Sequence, residues 1–177
     1  MYRKNSVILD AEKGEARVGS GEDHRRIVLM ASEAFVKMIE TLNAFGTAAF
    51  TMLYMMGQEK GRFDVKKEIE MLTRKGNSLI KRQVIENVIQ ELRITGWGVP
   101  RIQSYDEQQA VVMIIVENNP LTDVLGANRE SDRPICHYLR GYWVGVFSEI
   151  FERKVSCAES RCQGMGDKFC EFKIAAE

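Results

Sequence analysis

The sequence from Pro134 to Ile174 reads PICHYLRGYWVGVFSEIFERKVSCAESRCQGMGDKFCEFKI, and it predicts one long helix followed by two strands. Proline is best tolerated in the first turn of a helix, where Pro134 lies. Large apolar side chains then recur at helical spacing from Ile135 to Phe151. A glycine-rich turn separates the predicted strands Lys154–Glu159 and Lys168–Ile174. We therefore expect an apolar helix that packs on a closing hairpin.

The preceding residues predict helices first and two further strands after them. Apolar spacing indicates helices at 32–42, 47–59, 65–74 and 80–92, and strands at Val99–Tyr105 and Gln109–Glu117. The apolar run Ala110–Val116 is typical of a strand buried on both faces. This order favours an α+β fold, an antiparallel sheet of about four strands with helices packed on one face.

The N-terminal residues form a separate segment in this prediction. Ser6–Leu9 and Glu15–Val18 indicate an appended strand pair. We assign residues 1–25 to an N-terminal strand and dimerisation segment, and residues 26–177 to the main domain. An unpaired edge strand promotes aggregation, so we expect its pairing in a homodimer.

Composition excludes several classes of protein. Lys and Arg total 25, Asp and Glu total 25, and the formal net charge is zero, so no direct nucleic-acid binding is expected. Four cysteines are too few for a disulfide-built secreted scaffold. The uncharged stretch Thr41–Gln58 is interrupted by polar residues, which favours a buried helix over a membrane span. We therefore expect a soluble cytoplasmic protein.

The four cysteines are confined to the predicted closing elements. Cys136 begins the long helix, Cys162 and Cys170 bracket the glycine-rich turn, and Glu159 precedes Cys162 by three positions. Thiolates and a carboxylate are suitable ligands for tetrahedral Zn²⁺. The spacing is not that of a CxxC knuckle, so unpaired core thiols or a disulfide remain alternatives at this point.

The stretch Cys157–Phe172 resembles the closing signature of the 4-vinyl-reductase domain. Tyr142–Gly145 and Gly57–Gly61 fit the same domain, and the resemblance covers roughly Ile27–Ile174. This domain is similar to the sensor modules of phenol-responsive transcription activators and to the tethering subunits of the TRAPP complex. The resemblance implies a small-molecule sensor or binding domain.

The resemblance also implies a structural zinc site. The zinc-containing sensors combine a cysteine at the start of the long helix with a Glu-x-x-Cys-x₇-Cys motif at the closing hairpin. Cys136, Glu159, Cys162 and Cys170 match this pattern, and they would fill all four positions around Zn²⁺. Cys157 lies two positions before Glu159, and we expect it to be a buried thiol beside the metal site. The alternative is that Cys157 binds the metal in place of Glu159.

In the resembling sensors the ligand cavity lies between the sheet and the helices near the zinc. We therefore expect a pocket for a small apolar or aromatic ligand, lined by Met113, Ile115, Leu139, Trp143 and Val146. The sequence offers no histidine–tryptophan pair on these elements to hold a phenol hydroxyl, which favours a more apolar ligand.

The sensor would act through its dimer or through a separate partner. Two other functions are alternatives to it. One is an interaction scaffold similar to the TRAPP tethering subunits. The other is an accessory protein or reductase of tetrapyrrole biosynthesis. A reductase needs an electron carrier, and the chain lacks a strand–GxGxxG–helix fingerprint. A catalytic role is therefore not favoured.

Overall fold

The computed structural model describes residues 6–20, 23–74, 80–122 and 132–177. The strands are β1 (Ser6–Asp10), β2 (Glu15–Ser20), β3 (Asp23–Ile27), β4 (Val99–Asp106), β5 (Val111–Glu117), β6 (Val155–Arg161) and β7 (Cys170–Ala176). The α-helices are α1 (Ser32–Leu42), α2 (Ala48–Arg74), α3 (Lys81–Ile94) and α4 (His137–Phe151), and 3-10 turns lie at Asn43–Phe45 and Gln163–Met165. This mixture of helices and antiparallel sheets confirms the predicted α+β class.

The main sheet is antiparallel, with the strand order β4-β5-β7-β6. Side chains alternate across a strand, and Val112, Ile114 and Val116 of β5 are buried against the helices. The prediction that β5 is buried on both faces is wrong. The outward residues of β5 are only half-buried, and their partners on β7 are the charged Lys173 and Glu171.

The N-terminal sheet has the order β1-β2-β3, so β3 adds a third strand to the predicted pair. Val18 is the fully buried residue of β2. Because β3 spans residues 23–27, it crosses the predicted boundary between residues 25 and 26. The division at this boundary remains a prediction.

Helix α2 is continuous through the residues where the sequence predicted a break between two helices. Its Gly57 and Gly61 lie against α4, and Gly141 and Gly145 of α4 lie against α2. A methyl group built on any of the four would overlap a backbone carbonyl of the other helix. The glycines therefore permit a close backbone approach, which offsets their cost of about 1 kcal/mol each inside a helix.

Helix α4 is the centre of the domain. It contacts α2 on one side and β6 and β7 on the other. Its aromatic residues Tyr142, Trp143 and Phe147 are among the largest fully buried side chains. Most residues of α4 are buried, as in a core helix. No helix in the described part of the chain is long and apolar enough to cross a membrane.

Candidate metal centre and ligand cavity

The structure brings Cys136, Glu159, Cys162 and Cys170 together in one cluster. Their sulfur and carboxylate oxygen atoms all lie within 4.8 Å of one another. Cys136 caps the start of α4, Glu159 lies on β6, Cys162 follows β6, and Cys170 begins β7. The three cysteines are completely buried. The elements predicted around the zinc thus bring all four proposed ligands to one place.

The sulfur separations fit a tetrahedral metal ion. The Sγ atom of Cys136 lies 3.9 Å from that of Cys162 and 3.7 Å from that of Cys170. Ligands about 2.3 Å from Zn²⁺ at tetrahedral corners leave about 3.8 Å between sulfur atoms. A disulfide needs a separation of about 2.05 Å, and all four cysteines are free.

Glu159 carries an unsatisfied oxygen that a cation would satisfy. Its Oε2 accepts a hydrogen bond from the backbone N–H of Cys136 at 3.2 Å. Its Oε1 is buried and has no hydrogen-bond partner among the described residues. Burial raises the pKa of Glu159 to about 8. A buried carboxylate without a partner is costly, and metal coordination removes this cost.

The thiols of the cluster share protons unequally when no metal is bound. The hydrogen bond with Cys162 raises the pKa of Cys136 well above its usual value. The hydrogen bond with Cys136 lowers the pKa of Cys170. These directions favour loss of the first proton from Cys170 rather than from Cys136, and the thiolate is the form that binds zinc.

Cys157 lies outside the cluster of candidate ligands. Its thiol is buried, and burial raises its pKa to about 12. It pairs with Ile174 across the sheet, whereas Glu159 lies opposite Phe172, closer to Cys170. This arrangement favours Glu159 as the ligand and Cys157 as a neighbouring thiol.

The turn after Cys162 holds its backbone in place. The carbonyl of Cys162 accepts hydrogen bonds from the N–H groups of Met165 at 2.8 Å and Asp167 at 3.2 Å. The Asp167 carboxylate in turn accepts a hydrogen bond from the Cys162 N–H at 2.9 Å. Gly166 adopts φ 89°, a conformation that favours glycine. The glycine-rich turn thus fixes the backbone around Cys162, which is one of the proposed metal ligands.

Asn119 is a residue of this site that sequence reasoning missed. It is completely buried, and its side-chain amide donates hydrogen bonds to Cys136 Sγ at 3.2 Å and to Cys170 Sγ at 3.5 Å. The backbone N–H of Gln163 also donates to Cys170 Sγ, at 3.4 Å. Such donors stabilise the negative charge of thiolates.

The strand residues of the predicted pocket face away from its helix residues. Leu139, Trp143 and Val146 are fully buried on α4. Met113 and Ile115 are half-buried on the opposite face of the sheet. The alternation along β5 places the neighbouring residues Val112, Ile114 and Val116 on the core face.

The structure contains a cavity of about 570 Å³ at another position. It lies between the segment that joins β3 to α1, the middle of α2, the end of α3 and residues 120–121. None of the five predicted pocket residues lines it. Its aromatic wall is formed by Phe35 and Trp97, whose rings meet edge to face at 5.6 Å. Tyr138 of α4 stacks behind Trp97 at 5.3 Å.

The other end of the cavity is polar. Asp64 is buried and accepts hydrogen bonds from the hydroxyl of Tyr142 at 3.0 Å and from Arg25 at 3.2 Å. Lys60 also donates to Asp64, and Arg25 forms a second ion pair with Glu91. Burial lowers the pKa of Lys60. The cavity therefore combines apolar walls with a charge-balanced polar cluster, the usual composition of a small-molecule site.

The family model of the 4-vinyl-reductase domain matches residues 112–176 of the chain. This match confirms the resemblance to that domain. An uncharacterized protein from Methanocaldococcus jannaschii is 29% identical over 76 residues, which cover 40% of this chain and 47% of that protein. The match thus spans about half the length of this relative.

Two solved structures show the fold over most of the chain. The phenol-responsive sensory domain of the transcription activator PoxR, solved with phenol, has a TM-score of 0.79 and 18% identity, with 96% of this chain and 84% of that chain covered. Subunit 3 of the trafficking protein particle complex from Naegleria fowleri, covalently bound to palmitic acid, has a TM-score of 0.56 and 19% identity, with 82% and 95% covered. At these identities the similarity establishes the fold alone.

Proposed function

We propose that this chain is a small-molecule sensor domain that binds an apolar or aromatic ligand. The observation that most supports this function is the cavity of about 570 Å³ with an aromatic wall and a polar end. Its volume falls within the range of small-molecule pockets, about 300–1,000 Å³. The similarity in fold to a sensory domain solved with phenol also supports an aromatic ligand.

The polar end of the cavity favours a neutral ligand. Arg25 and Lys60 are paired with Asp64 and Glu91, and Arg26, which also lines the cavity, lies 4.0 Å from Glu15. Each positive charge therefore has a negative partner. A charged ligand group would leave one partner unpaired in a partly buried site, which is costly. A hydroxyl group can instead exchange hydrogen bonds with this cluster while the ring packs on Trp97.

Ligand binding would cover the segment between β3 and α1. Val28, Leu29 and Met30 line the cavity but remain 87%, 54% and 51% exposed. A bound apolar molecule would cover part of this surface and contribute about 25 cal/mol per Å² of apolar area buried. The segment continues directly from the N-terminal sheet. Its closure over the ligand would therefore transmit ligand binding to a dimer interface or to a separate partner.

A structural zinc ion is part of this proposal. Cys136, Glu159, Cys162 and Cys170 would hold it and join the start of α4 to the closing hairpin. Because four protein groups fill a tetrahedral site, no position is left for an activated water. The metal would therefore stabilise the fold, and the ligand would bind elsewhere.

A homodimer is the assembly we propose for the sensor. β1 is an edge strand of the N-terminal sheet, and its Ile8 and Leu9 are exposed. Pairing of this edge with a second copy would place a neighbouring side chain beside each residue, on opposite faces of the sheet, and satisfy the free backbone groups. Light scattering at micromolar concentration should give twice the mass of the chain. A proline at position 8, Ile8→Pro, should favour the monomer, and a monomeric wild-type chain would contradict this assembly.

The binding test is calorimetric titration of the zinc-loaded full chain with phenol, 1-naphthol and 1-hexanol. Thr95 lines the cavity, so Thr95→Phe should fill it and abolish binding. Thr95→Val is the matched control, because it removes the hydroxyl that donates to the Glu91 carbonyl without filling the space. Equal binding by the wild type and Thr95→Phe would exclude the cavity as the site.

The core around Trp143 is a second candidate position for the ligand. The indole N–H of Trp143 is buried and has no acceptor among the described residues. A ligand oxygen that reached it would satisfy this donor. Trp143→Phe removes the donor and keeps the aromatic ring, so it should weaken binding only if the ligand lies in the core beside Leu139 and Val146. Thr95→Phe would then have little effect.

An interaction scaffold is the alternative function. Met52, Met55 and Met56 share one face of α2 and are about half exposed, and exposed methionines suit an adaptable protein interface. The similarity in fold to the trafficking complex subunit agrees with such a role. The scaffold predicts that Met55→Glu abolishes partner binding while all three small probes fail to bind the wild type.

A further inference from the structure

Asn119 lies between the metal centre and the cavity. It follows β5 and precedes Pro120 and Leu121, which line the cavity. Its backbone N–H donates to the side-chain oxygen of Gln163 at 3.1 Å. Its side chain is completely buried, so each polar atom needs a partner within the protein.

The two ends of the Asn119 amide face different sites. The nitrogen donates to the sulfur atoms of Cys136 and Cys170, which are two of the proposed zinc ligands. The oxygen accepts a hydrogen bond from the backbone N–H of Leu121 at 3.1 Å. An amide is planar and rigid, so a displacement at one end is transmitted to the other.

The turn that follows Asn119 depends on the same residue. The hydroxyl of Thr122 donates to the Asn119 carbonyl at 2.8 Å, and the Thr122 N–H donates to it at 3.0 Å. Leu121 is buried, with 3% of its surface exposed. The position of this cavity wall is therefore set by hydrogen bonds that begin at Asn119.

We infer that Asn119 is a positioning residue that couples metal binding to ligand binding. Its amide nitrogen stabilises two thiolate ligands, and its amide oxygen fixes Leu121 against the cavity. The ligand side of this inference rests on the proposed function, whereas the metal side does not. Coupling between two sites is reciprocal, so zinc raises the affinity for the ligand by the same factor as the ligand raises the affinity for zinc.

Two substitutions separate the two ends of the amide. Asn119→Asp keeps an oxygen for the Leu121 N–H but replaces the donor to the sulfur atoms with a second oxygen. Asn119→Ala removes both functions. Competition with a chelator should show zinc affinity reduced at least about tenfold in both variants, as for other groups that hydrogen-bond to metal ligands. Hydrogen exchange at saturating zinc should be faster for the Leu121 amide in Asn119→Ala alone.

Thr122→Val is the matched control, because it removes the hydroxyl bond to Asn119 and leaves the amide intact. Its zinc affinity should stay within twofold of the wild type. Zinc affinity unchanged in both Asn119 variants, or an equal loss in Thr122→Val, would overturn the inference. Unchanged Leu121 exchange in Asn119→Ala would overturn it as well. If Asn119→Ala does not fold, Asn119→Asp and the control still decide the metal side.

The ligand side is tested with 1-naphthol in the presence and absence of zinc. Zinc should raise its affinity at least fivefold in the wild type, the lower end of typical coupling, and less than twofold in Asn119→Ala. An equal effect of zinc in both proteins would overturn the coupling. Absence of 1-naphthol binding to the wild type would instead contradict the proposed function, while the zinc and exchange measurements would still decide the role of Asn119.

Discussion

The metal centre and the cavity are built in opposite ways. The metal centre is assembled from α4 and the closing hairpin, and its three cysteines are completely buried. The cavity is bordered by the segment that joins β3 to α1, where Val28 is 87% exposed. The metal centre is thus part of the buried core, whereas one wall of the cavity is largely exposed to solvent.

This difference separates two tasks within one domain. Binding segments are usually drawn from the less stable parts of a protein, because they must rearrange around a ligand. They function when a rigid scaffold positions them. We interpret the metal centre and the crossing of α2 and α4 as that scaffold, and the β3–α1 segment as the adaptable part.

Loss of a metal ligand should have the largest effect on the free energy of unfolding. Cys170→Ser should release zinc and lower the free energy of unfolding by about 4 kcal/mol, the value expected when free zinc is about a thousandfold above its Kd. Elemental analysis and thermal unfolding measure the two results. Cys157→Ser should keep one zinc per chain. Loss of zinc in Cys157→Ser, together with its retention in Glu159→Gln, would reverse the assignment of the fourth ligand.

A methyl group at the crossing of α2 and α4 should have the next largest effect on the free energy of unfolding. Gly57→Ala should cost about 3 kcal/mol in chemical denaturation, because the new Cβ overlaps the backbone carbonyl of Tyr138 rather than a movable side chain. Gly14→Ala is the control. Gly14 has φ 61° and open space around it, so only backbone strain of about 1 kcal/mol is expected. Equal costs would contradict the close crossing.

Glu159 should make the metal-free wild type less stable as the pH rises, when it is compared with Glu159→Gln. The pKa of Glu159 is about 8 in the folded chain and about 4.5 when unfolded, so the folded state binds the proton more tightly. Its contribution is complete below pH 4.5 and is lost as the pH rises through 8. Between pH 6.5 and 9 the wild type should therefore lose about 2 kcal/mol relative to Glu159→Gln.

Saturating zinc should remove this pH dependence, because the metal-bound carboxylate carries no proton. Denaturation at several pH values, with and without a chelator, measures the contrast. A metal-free wild type that parallels Glu159→Gln at every pH would show that Glu159 is not buried in the cluster.

A change in the cavity wall should have the smallest effect on stability and a clear effect on binding. Phe35→Leu removes the ring that meets Trp97 but keeps an apolar side chain. It should weaken 1-naphthol binding about tenfold, or 1.4 kcal/mol, because an aromatic contact is worth about 0.5–1.5 kcal/mol. Met38→Leu on the exposed face of α1 is the control. Equal affinity in both variants would indicate that the ligand does not contact Phe35.

The metal cluster was predicted from the match to the family motif, in which Cys162 and Cys170 bracket one turn and Glu159 precedes it. The residues alone also left unpaired thiols or a disulfide open. The central helix and the strands of the main sheet also followed from periodicity. Asn119 carried no such signal, since an asparagine before Pro120 is typical of an ordinary turn.

The orientation of β5 could not be predicted from the sequence. The run VVMIIV at 111–116 is apolar at every position, so alternation does not reveal which residues face the helices. Only the pairing with Lys173 and Glu171 identifies Met113 and Ile115 as outward residues. The cavity was missed because several separate segments each contribute a few residues to it.

A crystal structure of the zinc-loaded chain grown with 1-naphthol tests the central claim most directly. We predict one zinc ion, identified by anomalous scattering, about 2.3 Å from the sulfur atoms of Cys136, Cys162 and Cys170. The naphthol ring should lie in the cavity against Phe35 and Trp97, with the β3–α1 segment closed over it. A cavity filled by protein side chains, or naphthol bound beside Trp143, would contradict the account.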